Sequence, residues 1–544
     1  MSTLSLVNAL RFRHKEHRCF AEYWDLLSAI VEGGDRITDE IKLKLLPNPD
    51  GRPEEVMQER IKLATYCNKI APILARFNSE LFKNPGVPIG SNDGFWADSF
   101  FPNGALLQCD DDGRASFTTF LQEAMMMALT TGKAIAQIDT IASKGAISLA
   151  QQKEYGELNP YVVLHPRSAL WDWEADRHGF KFAKLHQFRI FRESWNSKPT
   201  PEHVFTLYNR NDDKVYTSKY IARKRNNDQR PFTTYSYDQP FIENCAEKEI
   251  VIETVIENQP IFNVNGIFEF PIVTLSLPKV LCMGAQLLDA QKSYFTQTAA
   301  LEYAMYTNNY AIPVVTGVDD ESDDPLKGKR VGDGYYLTLK TGQNITNFER
   351  SNVTIDNAIK YRAEIKRDIY DIVQQIAMSA SDGAAIISRS GESKREDRRS
   401  EEILLEKYGQ IVKEFILQVL RPASIAHGEL VNWSITGYDD FIGFSLAELL
   451  QDLDLIKKVN IPSEAFNKEI YKHFVKRAGR VYDLDEQVIN LAITEIESKE
   501  ETIESKEEIQ EEKLSEESLS KPDNESDEPD ESDESDEIET QEEE

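Results

Sequence analysis

Two long stretches of helical periodicity enclose a short β-rich segment, and this pattern constrains the fold more than any other feature of the 544-residue sequence. Residues 281–308 are predicted to form one helix and residues 354–378 another. The second carries apolar side chains at helical spacing, namely Ile355, Ile359, Ile365, Ile369, Ile372 or Val373, and Ile376. Between the helices lie three runs typical of β-strands, at residues 314–315, 332–339 and 344–348. The pattern predicts a small β unit between two helices, neither of which completes a fold by itself.

The chain before this unit changes from helical to strand-like periodicity near residue 134. Three helices are predicted first, at residues 5–32, 53–82 and 116–131, and Gly132 is typical of a helix C-terminus. Alternating β-rich runs follow at residues 134–138, 161–164, 184–191, 203–208 and 248–257. The polar residues 209–213 predict a hairpin turn between two of these strands.

The chain after this unit is predicted to be helical. A long helix covers residues 394–420 and is expected to end before Pro422, because proline disfavours continued helix. Three shorter helices are predicted at residues 444–459, 463–478 and 483–494. The fold class is therefore predicted to be α+β.

Negative charge is concentrated at the C-terminus. Residues 495–544 contain 25 Asp and Glu against 4 Lys, a net charge of −21, which leaves −10 of the total −31 for the first 494 residues. This tail lacks aromatic residues and has few apolar ones, so we expect it to be disordered. It is either an acidic interaction segment, such as a DNA mimic, or a solubilising appendage.

Several classes of function lack their sequence signatures. The chain contains no GxxxxGK[ST] loop, no HExxH and no GxSxG, so we assign no catalytic residue and no cofactor. The five cysteines lie far apart, without zinc-site spacing, and His14 with His17 is interpreted as a polar helix face rather than a metal pair. No apolar run approaches the roughly 20 residues that span a bilayer, and no signal peptide is recognisable, so we expect a cytoplasmic protein without membrane partners.

The order of these elements resembles the portal proteins of tailed bacteriophages, particularly the siphovirus-like portals, over roughly residues 45–420. No single motif is diagnostic. The similarity is carried by a series of short segments in a fixed order: Leu46-Pro47-Asn48-Pro49-Asp50; Arg60, Tyr66 and Asn68; Phe82-Lys83-Asn84-Pro85; residues 112–116 leading to Gly132; Asn159-Pro160-Tyr161; Trp171-Asp172-Trp173; the helix, β and helix unit; and Ser390-Gly391-Glu392-Ser393 opening a long helix.

The resemblance implies a portal-type fold with named parts. Residues 1–278 and 394–442 would form the wing, 279–309 and 354–376 the stem helices, and 310–353 the clip. Residues 377–393 would form the tunnel loop and 443–494 the crown. The resemblance carries no named part over to the acidic tail, residues 495–544, so the role of the tail stays open.

The resemblance also implies partners. The chain would form a homo-oligomeric ring, a dodecamer, at one vertex of the virion capsid, after assembly in the host cytoplasm. Double-stranded DNA would pass through the ring. The terminase large subunit would dock during packaging and a head-completion or adaptor protein afterwards, while the major capsid and scaffold proteins would surround it.

Two groups of cations are the candidate binding residues. A DNA channel must let the polyanion pass without binding it tightly. A few cations in one loop therefore suit a channel better than a broad basic face. The candidates for the channel are Arg389, Lys394, Arg395, Arg398 and Arg399. Their alternative role is a solvated helix start, paired with Glu392, Glu396 and Asp397. Lys327, Lys329 and Arg330 in the clip are candidates for partner binding, or belong to a solvated loop.

Other interpretations stay open at this stage. Tyr294, Tyr303, Tyr306 and Tyr310 are either a stacking strip or, more in keeping with their helical spacing, packing groups at a subunit interface. The alternatives to a portal are a metal-dependent nuclease with an acidic regulatory tail and a minor head scaffold protein.

Overall fold

A computed structural model of the chain contains helices and antiparallel strands, which makes it α+β as predicted. Contacts divide the chain into two units, Met1–Phe441 and Ile442–Glu544. The structure describes residues 5–48, 54–83, 86–90, 116–140, 151, 159–177, 179–192, 194–196, 200–211, 214–224, 246, 249–261, 264, 266–308, 312–316, 344–348, 352–380, 391–438 and 441 of the first unit, and 469–472, 474–475, 488–489 and 491–496 of the second, all of the latter being helical.

In the described residues, the N-terminal part contains six α-helices, and side-chain caps set several of their ends. They are α1 (Leu6–Arg11), α2 (Lys15–Glu32), α3 (Asp39–Leu45), α4 (Glu54–Leu63), α5 (Ala71–Leu81) and α6 (Phe117–Thr131). The hydroxyls of Ser5, Thr38 and Ser116 accept backbone N–H bonds at the starts of α1, α3 and α6. Gly132 ends α6 with φ of 83°, which confirms the predicted stop.

Two of the predicted helices are each divided into two. The stretch 5–32 is interrupted at residues 12–14, where His14 caps α2. The stretch 53–82 is interrupted after α4, and Asn68 bridges the gap. Its amide nitrogen donates to the carbonyls of Ile30 and Val31 at 3.1 and 2.8 Å, at the end of α2. Its amide oxygen accepts from the N–H groups of Ile70 and Ala71 at 3.1 and 3.0 Å, at the start of α5.

Two antiparallel sheets account for the predicted strands. A five-stranded sheet runs in sequence order through β4 (Leu170–Asp176), β5 (Gly179–Phe191), β6 (Thr200–Asn211), β7 (Lys214–Lys224) and β8 (Ile250–Pro260). A three-stranded sheet has β2 (Lys133–Thr140) between β3 (Pro160–Pro166) and β9 (Ile272–Ser276). The pairing of Asn211 with Lys214 confirms the predicted β6–β7 hairpin.

The helix, β and helix unit is also confirmed where the structure describes it. Helix α7 (Met283–Asn308) is followed by β10 (Ile312–Thr316), which pairs with β11 (Asn344–Phe348) before helix α8 (Asn352–Ala380). The β-strands of the pair are antiparallel, with Ile312 opposite Phe348 and Thr316 opposite Asn344. The predicted strand at residues 332–339 lies outside the described residues.

The last long helix extends further than predicted. Helix α9 (Gly391–His427) continues through Pro422, so the predicted end before this residue is wrong. A proline inside a helix removes one backbone hydrogen bond and costs roughly 3 kcal/mol. Around it, Leu420, Ala423 and Ile425 are buried, and this burial offsets the cost. The Ser424 hydroxyl also donates to the carbonyl of Arg421 at 2.8 Å.

The chain returns from α9 to the N-terminal half. Strand β12 (Trp433–Thr436) pairs with β1 (Val87–Gly90), so that Val87 lies opposite Thr436. Gly409 allows the turn after β12 to approach α9, since a Cβ at this position would lie 2.2 Å from the carbonyl oxygen of Tyr438. The return segment therefore closes on the same body that begins the chain.

The loop predicted at residues 377–393 is shorter than expected. Helix α8 continues to Ala380 and α9 begins at Gly391, so only residues 381–390 separate them, and these lie outside the described residues. The helices predicted at 444–459, 463–478 and 483–494 lie mostly outside them too, although 469–472, 474–475, 488–489 and 491–494 are helical. The acidic tail, apart from residues 495 and 496 at the end of a helix, is also outside.

Buried histidines connect α2 with the two sheets. His17, predicted to lie on a polar helix face, is instead buried, and its Nε2 donates to the carbonyl of Ser168 at 2.8 Å. His165 on β3 donates from Nε2 to Oε1 of Gln137 at 2.8 Å, and its Nδ1 lies 3.1 Å from Nε2 of Gln187. Burial lowers the pKa of both rings to about 4; for His17, the neighbouring cations Arg13 and Lys184 add to this effect.

A buried lysine attaches α1 to the five-stranded sheet. Lys184 on β5 donates from Nζ to the carbonyl of Ala9 at 2.9 Å and to that of Phe12, and its Nζ lies 3.8 Å from Oδ2 of Asp172. Burial lowers the pKa of Lys184 to about 8, although the nearby Asp172 carboxylate opposes this shift. Leu10 packs beside this contact in an apolar cluster on the same sheet.

We expect Lys184→Met to lower the free energy of unfolding by about 2 kcal/mol, because two carbonyl acceptors and Asp172 lose a charged partner. Tryptic cleavage after Arg11 and Arg13 should also become faster, since α1 is held less tightly. The matched control is Lys181→Met on the same strand, where Nζ forms an exposed ion pair with Glu174 at 3.6 Å. Its effect should stay below about 0.5 kcal/mol. Equal effects of the two substitutions would contradict the attachment.

None of the helices in the described part of the chain combines the length and apolarity that crossing a bilayer requires.

Candidate self-association surface

Helix α7 is enclosed by its own chain over most of its length. Leu287, Phe295 and Ala299 are buried in the main core cluster. The Gln291 side chain accepts from the N–H of Lys69 at 3.0 Å and donates to the carbonyl of Cys67 at 2.9 Å. As far as Leu301, α7 therefore completes its packing within one chain, which differs from the expectation that neither helix does so.

Helix α8 buries one stripe and leaves the rest of its surface exposed. Ile365, Ile369, Val373 and Ile376 are buried, as the periodicity predicts, and the helix contacts α7 and α9. Ile359 was predicted to belong to the same stripe, but it is 42% exposed. The first half of α8 therefore presents apolar surface that the described part of its own chain does not cover.

The exposed apolar residues of α8 lie on two opposite flanks. At 100° per residue, Ile359, Ala363, Lys366 and Tyr370 fall within about 60° of one another; we call these four residues the α8 flank. Tyr361 lies about 200° around the helix from Ile359. Tyr370 and Tyr361 are 51% and 50% exposed. Both rings are therefore accessible to another molecule, on opposite sides of the helix.

The tyrosines of α7 divide according to their distance from the β10–β11 pair. Tyr294 is buried, with Nζ of Lys69 5.3 Å from its ring centre, and Tyr303 is partly buried. Tyr306, near the end of the helix, is 47% exposed, and Tyr310 lies outside the described residues. Tyr294 is thus a core residue, whereas Tyr306 lies partly at the surface.

The outward face of α8 is charged but balanced. Lys360 and Arg367 share it with Asp356, Glu364 and Asp371, all of them exposed. They follow one another at intervals of three or four residues, and the sign of the charge alternates along the helix. This face was not identified from the sequence, although the alternation of charges was visible there.

The predicted channel cations are placed only in part. Lys394, Arg395, Arg398 and Arg399 lie in the first turns of α9, but their side chains are outside the described structure, as is Arg389 altogether. The helix is attached to the body just beyond them, where Glu401 accepts from Arg76 at 2.7 Å. Further along, the Tyr408 hydroxyl donates to the carbonyl of Leu281 at 2.7 Å.

The predicted clip cations are not placed. Lys327, Lys329 and Arg330 lie between β10 and β11, outside the described residues. What the structure does place is the antiparallel pair of strands from whose ends they extend. Comparison with protein-family models and with curated proteins gave no match to this chain.

Proposed function

We propose that the chain is the subunit of a bacteriophage portal ring. The observation that carries the proposal is α8, which exposes apolar side chains on two opposite flanks while burying a third stripe against its own chain. In a closed ring every subunit has one neighbour on each side. Two apolar flanks on a helix that is connected to a hairpin-like β pair match this requirement.

The charge pattern supports a conduit for double-stranded DNA. Phosphate contacts by Lys and Arg accumulate affinity through counterion release, so a helix lining the channel must not carry a large excess of cations. The outward face of α8 meets this condition, since Lys360 and Arg367 alternate with acids. Arg389, Lys394, Arg395, Arg398 and Arg399 remain the proposed cations of the tunnel loop and adjoining helix.

The remaining partners belong to the same proposal. The β10–β11 pair, with Lys327, Lys329 and Arg330, is proposed to meet the terminase large subunit during packaging and head-completion or adaptor proteins afterwards. The wing and crown are proposed to face the major capsid and scaffold proteins at one vertex of the virion. The proposed ring has no catalytic activity of its own.

The size of the purified protein tests this function. Twelve copies of the 62.1 kDa chain give about 745 kDa, which mass photometry can measure. Negative-stain microscopy should reveal rings with a central hole. A protein that stays at 62.1 kDa under all assembly conditions would overturn the proposal, and it would favour the nuclease alternative if it also cleaved DNA with Mg²⁺.

We expect Tyr370→Glu to lower the fraction of chains in rings by about tenfold, since it places a charge in an apolar contact at a cost of at least about 1.4 kcal/mol per contact. Tyr370→Phe should leave ring formation unchanged. A second control, Gln375→Glu, adds the same charge about 140° around the helix from Tyr370. Mass photometry gives the ring fraction, and circular dichroism verifies the fold. Rings formed equally by all three variants would exclude the α8 flank from the interface.

A further inference from the structure

Two histidines lie in contact on the face of the five-stranded sheet on which α1 packs. The rings of His186 on β5 and His203 on β6 are stacked with their centres 5.0 Å apart, and Nε2 of His186 lies 2.7 Å from Nδ1 of His203. One of these nitrogens donates and the other accepts, so the hydrogen bond requires an unprotonated nitrogen. A first proton therefore places a charge in the pair, and a second leaves two donors facing each other.

Helix α1 packs on the sheet residues that adjoin this pair. Leu10 belongs to an apolar cluster with Phe205 and Ala222. Phe205 is the cross-strand neighbour of His186, and Ala222 is that of His203. His203 is fully buried and His186 is partly buried. The covering of the pair therefore depends on α1.

The residues that follow α1 are fixed beside the same pair. Trp171 on β4 lies against His186 with ring centres 3.9 Å apart, and the Arg13 guanidinium lies 4.2 Å from the centre of the Trp171 ring. The N–H of His14 donates to the carbonyl of Trp171 at 2.8 Å. We call residues 5–14 the N-terminal strap, because α1 and these contacts together cross the face of the sheet that carries the pair.

Cations prevail among the charged groups around the pair. The titratable groups on the elements packed around it are Arg11 of α1, Arg13 and His14 after α1, His17 of α2, Asp172 of β4, Lys184 of β5, and Tyr220 and Lys224 of β7. Asp172 is the single acid among these, and it lies 3.8 Å from Nζ of Lys184. Glu202, next to His203 in sequence, lies on the opposite face of the sheet, where two arginines bind it. A proton on the pair thus adds to an excess of positive charge.

The covered pair resists protonation. Burial lowers the pKa of both rings, and for His186 the charges of His203, Arg13, His17 and Lys184 lower it further. A histidine in water has a pKa of about 6.5. Below this pH the uncovered rings bind protons that the covered rings do not, so uncovering becomes more favourable as the pH falls.

We propose that the N-terminal strap is released by acid: it detaches from the five-stranded sheet when His186 and His203 take up protons, while the rest of the body stays folded. Leu10 is the one buried side chain of α1, so this short segment opens at a lower cost than the strands beneath it. Detachment uncovers the apolar strip of the sheet on which Leu10 packs. The proposal does not require a ring and is independent of the proposed function.

Hydrogen exchange measured by mass spectrometry tests the strap. The N–H groups of Ala9, Phe12 and His14 are hydrogen-bonded in the closed form, so their exchange, corrected for the chemical rate at each pH, reports the opening equilibrium of the strap. We expect this opening equilibrium to rise between pH 7 and pH 5 by about twentyfold for each ring that stays neutral in the closed form. It should exceed the opening equilibrium of β2 at both pH values.

Matched variants assign the response to the pair. His203→Gln retains a side chain that hydrogen-bonds but does not titrate, so about one twentyfold factor of the rise should disappear. The control is His165→Gln, which replaces another buried histidine, on β3, and should leave the pH response of the strap unchanged. Leu10→Ala should increase the opening at least about thirtyfold at both pH values and leave the ratio between them as it is.

The outcomes decide the proposal. A rise of less than about threefold in the natural chain, or the full natural rise in His203→Gln, would overturn it. Equal opening of the strap and of β2 at both pH values would also overturn it, because the strap would then open only with the whole body. Loss of the response in His165→Gln would place its source elsewhere and count against the pair. If circular dichroism shows that His203→Gln does not fold, His186→Gln takes its place with the same expected result.

Discussion

Asn68→Ala is expected to lower the free energy of unfolding by about 3 kcal/mol, since its amide makes four hydrogen bonds and each contributes about 1 kcal/mol net in a partly buried place. These bonds join the end of α2 to the start of α5. Alanine removes all four, but the carbonyl of Ile30 keeps its hydrogen bond from the Tyr66 hydroxyl at 2.7 Å, so only the Val31 carbonyl and two N–H groups lose their partner. Urea unfolding followed by tryptophan fluorescence measures the change.

Two controls separate this effect from the loss of any amide. Asn68→Asp keeps the acceptor for Ile70 and Ala71, but it turns a carboxylate oxygen towards the carbonyl oxygens of Ile30 and Val31, so it should cost more than the loss of those two hydrogen bonds, at least about 2 kcal/mol. Asn78→Ala on α5 removes one hydrogen bond, of 3.0 Å to the carbonyl of Gln122, and should cost about 1 kcal/mol. If Asn68→Ala costs no more than Asn78→Ala, the bridge does not stabilise the body.

Acidification from pH 7 to pH 5 is expected to cost about 4 kcal/mol through His17 and His165. Burial lowers the pKa of each ring to about 4, against 6.5 for the unfolded chain. Between these values the unfolded chain binds protons that the folded chain does not, so stability falls as pH falls below 6.5. At pH 5 this amounts to about 2 kcal/mol per ring. Asp139, whose pKa is raised by burial, acts in the opposite direction and restores part of the loss.

The variant His165→Gln tests this assignment. Glutamine keeps a hydrogen-bond donor near Nε2 but does not titrate, so the slope of unfolding free energy against pH between 5 and 6.5 should decrease by about one proton, or about 1.4 kcal/mol per pH unit. His17→Gln should give a similar decrease. Urea titrations at several pH values provide the slope. An unchanged slope in both variants would show that these rings are not the source of acid sensitivity.

Local periodicity predicted the elements well because it depends on which side of each element is buried. Helix α7 begins two residues later than predicted and ends at the same residue, and the five strands predicted between residues 134 and 257 all correspond to strands of the structure. The end of α9 was predicted wrongly because burial of the residues around Pro422 outweighs the tendency of proline to end a helix. That burial is set by distant parts of the chain, which periodicity does not report.

The candidate surface was less predictable for a related reason. Ile359 has the spacing of a core residue, and the pattern cannot tell whether its own chain or a second copy covers it. His17 was predicted to lie at the surface because its side chain is polar. The sequence does not show that the carbonyl of Ser168 accepts a hydrogen bond from the buried ring.

The pairing of β1 with β12 imposes an order on synthesis. Val87 pairs with Thr436, which is synthesised 349 residues later. At the usual 5 to 20 residues per second, translation of this stretch takes roughly 20 to 70 s. Throughout that interval β1 lacks the strand that it pairs with in the finished fold, and a nascent chain with an open strand edge is a natural client for chaperones. A chain truncated before residue 433 therefore leaves the edge of β1 without the strand that covers it in the full-length fold.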